Sequence, residues 1–269
     1  MSPAALSAEI FRLRSFLCVG LDPDPARLPA AVRGEADPIL AFNQAIIQAT
    51  APFAVAYKPN LAFYEALGAA GWETLRATVA AIPPGKLIIA DAKRGDIGNT
   101  SRMYAQACFG ALGADAVTVA PYMGQDSVVP FLEFPGKWVF LLALTSNPGA
   151  ADFQYAGGPA QPLYQEVLRR AQEWAEGKPG ELGFVAGATR AEALRDVRRI
   201  APESWLLVPG VGEQGGDLDA VCQTARTAAG GLLINASRSI LYAGGGSDFA
   251  ARAAEAAEAL QRRMALHIG

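Results

Sequence analysis

Asp91, Lys93 and Asp96 stand in a run that begins apolar and turns charged abruptly, Lys86-Leu-Ile-Ile-Ala-Asp-Ala-Lys-Arg-Gly-Asp-Ile-Gly-Asn-Thr100. On an extended backbone Asp91 and Lys93 leave the same face, Arg94 points the other way, Gly95 permits a turn, and Asp96 follows in the loop. Burying opposite charges at a strand end is costly unless they pair. A paired ammonium stays charged, so it can stabilise developing negative charge and deliver a proton. The plainer reading is a structural ion pair plugging a barrel end; Asp96, a third charge just beyond, favours chemistry. The only histidine is His267, near the C-terminus. Ser-His-Asp and Cys-His catalysis and His-ligated zinc or iron are therefore disfavoured. Acid–base work falls to Asp, Glu, Lys or Tyr.

The elements that must position these groups alternate along the chain. Apolar runs at 16–21, 53–57, 87–90, 116–120, 138–144, 182–186, 205–208 and 231–234 read as buried parallel strands. Between them the spacing predicts helices, among them 64–82 with a possible break at Gly68 or Gly71, 99–110, 190–200 with an outward basic face, and 249–266. Asp37-Pro38 is a helix start, with Asp as N-cap and Pro at the first helical position. Residues 1–15 form a short amphipathic N-terminal helix, with Leu6, Ile10 and Leu13 on one face. A Gly- and Ala-rich loop over 150–161 is a candidate mobile segment. About eight strand–helix units with no linker or change of composition predict one (β/α)8 TIM barrel over residues 1–269, a single α/β domain. A doubly wound sheet is the alternative architecture.

Composition narrows the function. At 269 residues with 51% apolar content, the chain can bury one large core. A net charge of −3 and a pI near 5.3 provide no electrostatic footprint for nucleic acid or an acidic membrane. No apolar run is long enough to span a bilayer, and the first fifteen residues lack the apolar core of a signal peptide. Cys18, Cys108 and Cys222 have no metal or redox spacing and read as reduced core thiols, so a cytoplasmic protein is expected.

In a (β/α)8 barrel the chemistry gathers at the C-terminal ends of the strands. Asp22, Lys58, Asp91 with Lys93, and Ser146 all fall there. The last two strand ends differ from these. Pro209-Gly-Val-Gly-Glu-Gln-Gly-Gly216 is glycine-rich, so its amides can approach an anion, and Asn235-Ala-Ser-Arg238 adds a guanidinium suited to phosphate. Barrel enzymes commonly bind a phosphate at these two loops.

The Asp91-x-Lys93-x-x-Asp96 motif resembles that of the orotidine 5′-monophosphate decarboxylase suprafamily. The likeness extends along the chain through Asp22, Lys58-Pro-Asn60, Thr145-Ser-Asn-Pro-Gly149, Pro209-Gly-Val-Gly-Glu-Gln214 and Ser237-Arg238, in the forms of the longer-chain bacterial subgroup. The resemblance implies decarboxylation of orotidine 5′-monophosphate to UMP, in de novo pyrimidine synthesis, without metal or organic cofactor. It makes Lys93 the proton donor to carbon 6 and sets Asp91 against the substrate carboxylate. Asp22 and Lys58 are implied to bind the ribose hydroxyls, Ser146 the pyrimidine, and Gln214 and Arg238 the phosphate. Asp96 and Thr100 are implied to reach into a partner's site, hence a homodimer with shared active sites.

Two rival readings remain at this level. Magnesium-dependent sugar-phosphate lyases or decarboxylases of the same suprafamily also carry Asp-x-Lys-x-x-Asp, but resemblance gives them an acidic residue where this chain has Lys58, and a lysine would repel the ion. A non-catalytic nucleotide-binding barrel is the rival from another class, and the intact set of charged positions weighs against it.

Overall fold

Each apolar run becomes a parallel strand, and the strands pair in chain order until the last closes on the first. The computed structural model describes the chain except residues 159, 188–190 and 211–216. The strands are β1 Leu17–Leu21, β2 Ala56–Pro59, β3 Leu87–Arg94, β4 Ala116–Val119, β5 Trp138–Leu144, β6 Glu181–Ala186, β7 Trp205–Pro209 and β8 Leu232–Ala236. They form a closed barrel in the order β1 to β8, with Leu17 opposite Ile234 at the closure. The (β/α)8 expectation holds and the doubly wound sheet does not.

Large rings fill the interior. Trp138 and Phe140, two apart on β5, stack with centroids 6.1 Å apart, and Trp205 meets Trp138 edge-on at 5.6 Å. Strands β5 and β7 are separated by β6, so that contact passes over the intervening strand. Gly183 on β6 makes room for the layer, since a Cβ there would lie 2.7 Å from the Phe140 ring. Outside, the helix Pro3–Leu13 starts at Ser2, whose hydroxyl accepts the Ala5 amide, and buries Leu6 and Ile10. Asp37 caps Pro38–Thr50 by accepting the Leu40 amide at 2.9 Å. Phe42 of that helix stacks on Phe249 of the closing helix Phe249–Ala265.

Several boundaries differ from the pattern-based expectation, each for a physical reason. β2 lies further along than 53–57 and takes in Lys58 and Pro59, because pairing with β1 carries the extended backbone past the end of the apolar run. The helix expected over 64–82 is two helices, Leu61–Glu65 and Gly68–Ala80. Asn60 caps the first, and Gly68, at φ +67°, turns the chain into the second. The 150–161 segment is not simply a loop, since Ala150–Phe153 makes a helical turn. The helix expected over 99–110 is α-helical over Gly98–Gln106 and continues as a π-helical turn over Ala107–Ala111. The 190–200 helix is described over Ala191–Ile200, and its basic face is not wholly solvated. Arg198 turns inward and donates to the carbonyls of Ala201, Ser204, Ala225 and Gly231. Among the described residues no helix is long and apolar enough to cross a membrane.

Candidate active site

Strand β3 is where the barrel departs from regular pairing. Ala90 pairs with Val117 and Arg94 with Val119, so Asp91, Ala92 and Lys93 lie opposite the single residue Thr118. Such bulges bend a strand and re-aim its side chains, and they recur beside active sites. The bulge is sharp enough to take Lys93 into the left-handed region, at φ +46°. A non-glycine residue held there costs of order 1–3 kcal/mol. Asp91 and Lys93 do share a face, as their spacing predicts, but through this kink rather than along a uniformly extended strand.

The result is an alternating charge chain at the C-terminal mouth of the barrel. Lys58 Nζ donates to Asp91 Oδ2 at 2.5 Å, and Lys93 Nζ donates to Asp91 Oδ1 at 2.6 Å. The Lys58 side chain is 6% exposed and that of Lys93 is 50% exposed. Burial alone would raise the Asp91 pKa, but the two ammoniums outweigh it and hold the carboxyl well below the usual range. Burial likewise works against the Lys58 charge, yet the Asp91 and Asp22 carboxylates hold its pKa above the ordinary lysine value. The arrangement keeps the Asp91 carboxylate and the Lys58 ammonium ionised side by side where water is scarce. It is preorganised for negative charge.

Asp22 sits at the end of β1 beside this chain. Its Oδ2 accepts the Ser237 hydroxyl at 2.6 Å, while its Oδ1 and the nearby Asn235 Oδ1 are buried acceptors with no partner among the described residues. Buried acceptors without donors are rare and suit a ligand hydroxyl. Tyr242 braces the loop from the far side, its hydroxyl accepting the Asp24 amide at 2.7 Å while Arg27 stacks on its ring. Cys18 lies beneath the cluster, its thiol pushed up to about 12 mainly by burial, so it stays protonated. All three cysteines are buried and unpaired.

The remaining predicted residues are less gathered. Ser146 follows β5 half-buried, its backbone packed so closely on Gly187 that a Cβ there would lie 2.9 Å from the Ser146 nitrogen. Gln154 holds this loop by accepting the Thr145 amide and donating to the Thr145 hydroxyl, both at 2.8 Å. Arg238 begins the short helix Arg238–Leu241 directly after Ser237 and is exposed. Gln214 lies outside the described residues. Asp96 accepts the amide of its own neighbour Ile97 at 2.7 Å, and Thr100 is exposed on the helix Gly98–Gln106. Neither has a bond into the cluster of its own chain among the described residues. Pattern reasoning missed Thr118, whose only signal was one hydroxyl in an otherwise apolar strand. Among the described residues no group of three or more His, Cys, Asp or Glu side chains is arranged to hold a metal ion.

Comparison with known proteins agrees with this geometry. The model of the Orotidine 5′-phosphate decarboxylase / HUMPS family matches residues 15–254. The chain is 52% identical over 268 residues to the orotidine 5′-phosphate decarboxylase of Christiangramia forsetii, covering 98% of each. It is equally 52% identical over 268 residues to that of Porphyromonas gingivalis, covering 98% of this chain and 96% of the other. The solved structure of Leishmania donovani OMP decarboxylase superposes with a TM-score of 0.82 at 39% identity, covering 98% of this chain and 99% of that one. By closed barrel, charged strand ends and likeness over nearly its full length, this chain belongs to the Orotidine 5′-phosphate decarboxylase / HUMPS family.

Proposed function

We propose that the chain decarboxylates orotidine 5′-monophosphate to UMP in de novo pyrimidine biosynthesis, with Lys93 protonating carbon 6 and with no cofactor. The observation that carries this reading is the alternation Lys58–Asp91–Lys93 at the barrel mouth. Departure of CO2 leaves an electron pair on a ring carbon without an adjoining electron sink. An ammonium fixed by a carboxylate and still half exposed toward the site can face that pair and transfer its proton. Asp91 lies against the departing carboxylate, and stabilisation of the carbanion by Lys93 is the larger effect. Lys58 covers the carboxylate oxygen that a divalent ion would need, which favours this chemistry over that of the magnesium-dependent relatives.

Asp22 and Lys58 take the ribose hydroxyls, a role supported by the buried, partnerless Asp22 Oδ1. Ser146 meets the pyrimidine, and Gln214 and Arg238 meet the phosphate. The phosphate is remote from the reacting carbon, so its binding energy is available to organise the charged cluster. Asp96 and Thr100 act in the site of a second copy. Support comes from their lack of a bond into their own cluster, and from the exposed apolar side chains of Ile97 and Met103 next to them along the chain. Such side chains suit a covered face. The protein is read as cytoplasmic.

Incubation with orotidine 5′-monophosphate, followed by the change in pyrimidine absorbance, tests the reaction. Activity should survive a strong chelator. Lys93→Ala should lose at least about 100-fold in turnover yet bind UMP; near-normal turnover refutes the donor role. Mixing Lys93→Ala with Asp96→Asn protein should restore activity through mixed dimers, and two additive inactive preparations would count against shared sites.

A further inference from the structure

We infer that Thr118, buried on β4, is a positioning residue for the proposed proton donor: its single hydroxyl ties the backbone and the ammonium of Lys93 into one closed loop. The inference rests on the reading of Lys93 given above and deepens it.

The bulge in β3 creates the need. With Asp91, Ala92 and Lys93 opposite Thr118 alone, the backbone ladder cannot serve every amide of the three-residue stretch. Pairing resumes at Arg94 with Val119, and just beyond it the Ala120 amide donates to the Arg94 carbonyl at 2.8 Å. In the gap, the Lys93 amide donates to Thr118 Oγ1 at 2.9 Å. The side chain of the opposing strand thus replaces the backbone carbonyl that regular pairing would have supplied.

The same hydroxyl uses its proton elsewhere. Thr118 Oγ1 donates to Asp91 Oδ1 at 2.9 Å, the oxygen that also accepts Lys93 Nζ at 2.6 Å. The path Lys93 amide, Thr118 hydroxyl, Asp91 carboxylate, Lys93 ammonium begins and ends on one residue. A hydroxyl is suited to the junction because it accepts and donates at once. Asp91 then carries three donors, Lys58 on Oδ2 and Thr118 with Lys93 on Oδ1, which leaves its carboxylate little rotational freedom. Thr118 is 1% exposed, so water does not substitute easily for either bond. Its β-branched side chain also has few χ1 choices, which aims the hydroxyl.

Two consequences separate positioning from mere packing. Thr118 bonds the donor lysine and its carboxylate but none of the groups assigned to ribose or phosphate, so its loss should act on turnover and not on capture. Serine should restore function and valine, of nearly the same shape, should not.

The test compares Thr118→Val, Thr118→Ser and the parent enzyme on orotidine 5′-monophosphate, with a crystal structure of the valine variant. The valine variant should lose about 10- to 100-fold in kcat with KM and UMP affinity nearly unchanged, and serine should recover most of the loss. In the crystal, Lys93 should leave its left-handed backbone or its ammonium should part from Asp91, while Lys58 stays on Asp91. Should the valine variant fail to fold, Thr118→Ala carries the same expectations. Parental kcat in the valine variant, a matched loss in serine and valine, or an undisturbed Lys93 in the crystal overturns the inference. If the parent protein released no CO2 from this substrate, the proposed function would fall, while the crystal geometry would still decide what Thr118 does.

Discussion

Lys58 Nζ lies 2.5 Å from Asp91 Oδ2, and both side chains are almost wholly shielded from water. Lys93 bonds the other oxygen of the same carboxylate but is half exposed. Two chemically identical groups thus sit differently on one partner: Lys58 neutralises the buried charge, while Lys93 faces the open mouth, where the proposed reaction has it give up its proton. Lys58→Met should remove the compensation of a buried carboxylate and destabilise the fold by about 3–5 kcal/mol. Lys93→Met, at an exposed group, should cost under about 1 kcal/mol while removing turnover. Urea unfolding of the two variants beside the parent checks the contrast, and equal losses would show that burial does not divide their roles.

The same triad sets a pH window. Lys58 and Lys93 depress the Asp91 carboxyl against the pull of burial, so its contribution is present above the unfolded aspartate value of about 4 and fades as pH falls toward the folded value. Lys58 is shifted the other way: its contribution is complete below the ordinary lysine value of about 10.4 and is lost only as pH climbs through the raised one. The stability gap between the parent and Asp91→Asn should therefore be flat from roughly pH 5 to 9 and shrink below roughly pH 4. Denaturant midpoints across pH 3–9 measure it. A gap already closing at pH 6 would mean that Asp91 titrates in the ordinary range.

Much of this was legible in the residues because a covered parallel strand has a plain signature. Trp138–Leu144, uninterrupted and apolar, is β5 to the residue. Asp91 and Lys93 announced themselves by ending such a run. What stayed hidden depends on pairing between distant segments. The bulge opposite Thr118 is a matter of register between β3 and β4, which neither strand encodes alone. Arg198 sits in a helix whose arginines look alike in sequence, and only the neighbouring strand starts determine that this one turns inward. The roles proposed for Asp96 and Thr100 need a second chain, and within one chain neither has a bond into the charged cluster among the described residues.

Gly20 on β1 carries a prediction of its own. A Cβ there would lie 2.8 Å from Ser237 Cβ and 3.0 Å from Ser237 Oγ, the hydroxyl that bonds Asp22. Gly20→Ala should push Ser237 off Asp22, cost about 1–3 kcal/mol by overpacking, and raise KM by roughly tenfold, the equivalent of one misaligned hydrogen bond to a charged group. Adding Ser237→Gly relieves the clash without restoring that bond. The double variant should regain stability but keep the raised KM. Recovery of both would mean that Ser237 only fills space.

Arg198 offers a test at the opposite end of the barrel from the chemistry. Its Nε donates to the Ala225 carbonyl at 2.7 Å, its Nη1 to Ser204 at 2.6 Å and Ala201 at 3.1 Å, and its Nη2 to Gly231 at 2.8 Å. Ser204 and Gly231 immediately precede β7 and β8, so one guanidinium pins the helix Ala191–Ile200 to the starts of two strands. Burial lowers its pKa to about 10, which leaves it charged at neutral pH. Arg198→Met keeps the aliphatic stem but strands several carbonyls at once, at about 1–3 kcal/mol for each left buried and unpaired. Relaxation and entering water reduce the sum, and Tm should still fall by roughly 5–10 °C, at the few degrees per kcal/mol usual for a chain of this size. Turnover below the transition should be unchanged, because none of these carbonyls touches the charged cluster. Calorimetry paired with the absorbance assay separates the two effects, and a variant that melts with the parent would mean that the five-donor fork does not hold this corner together.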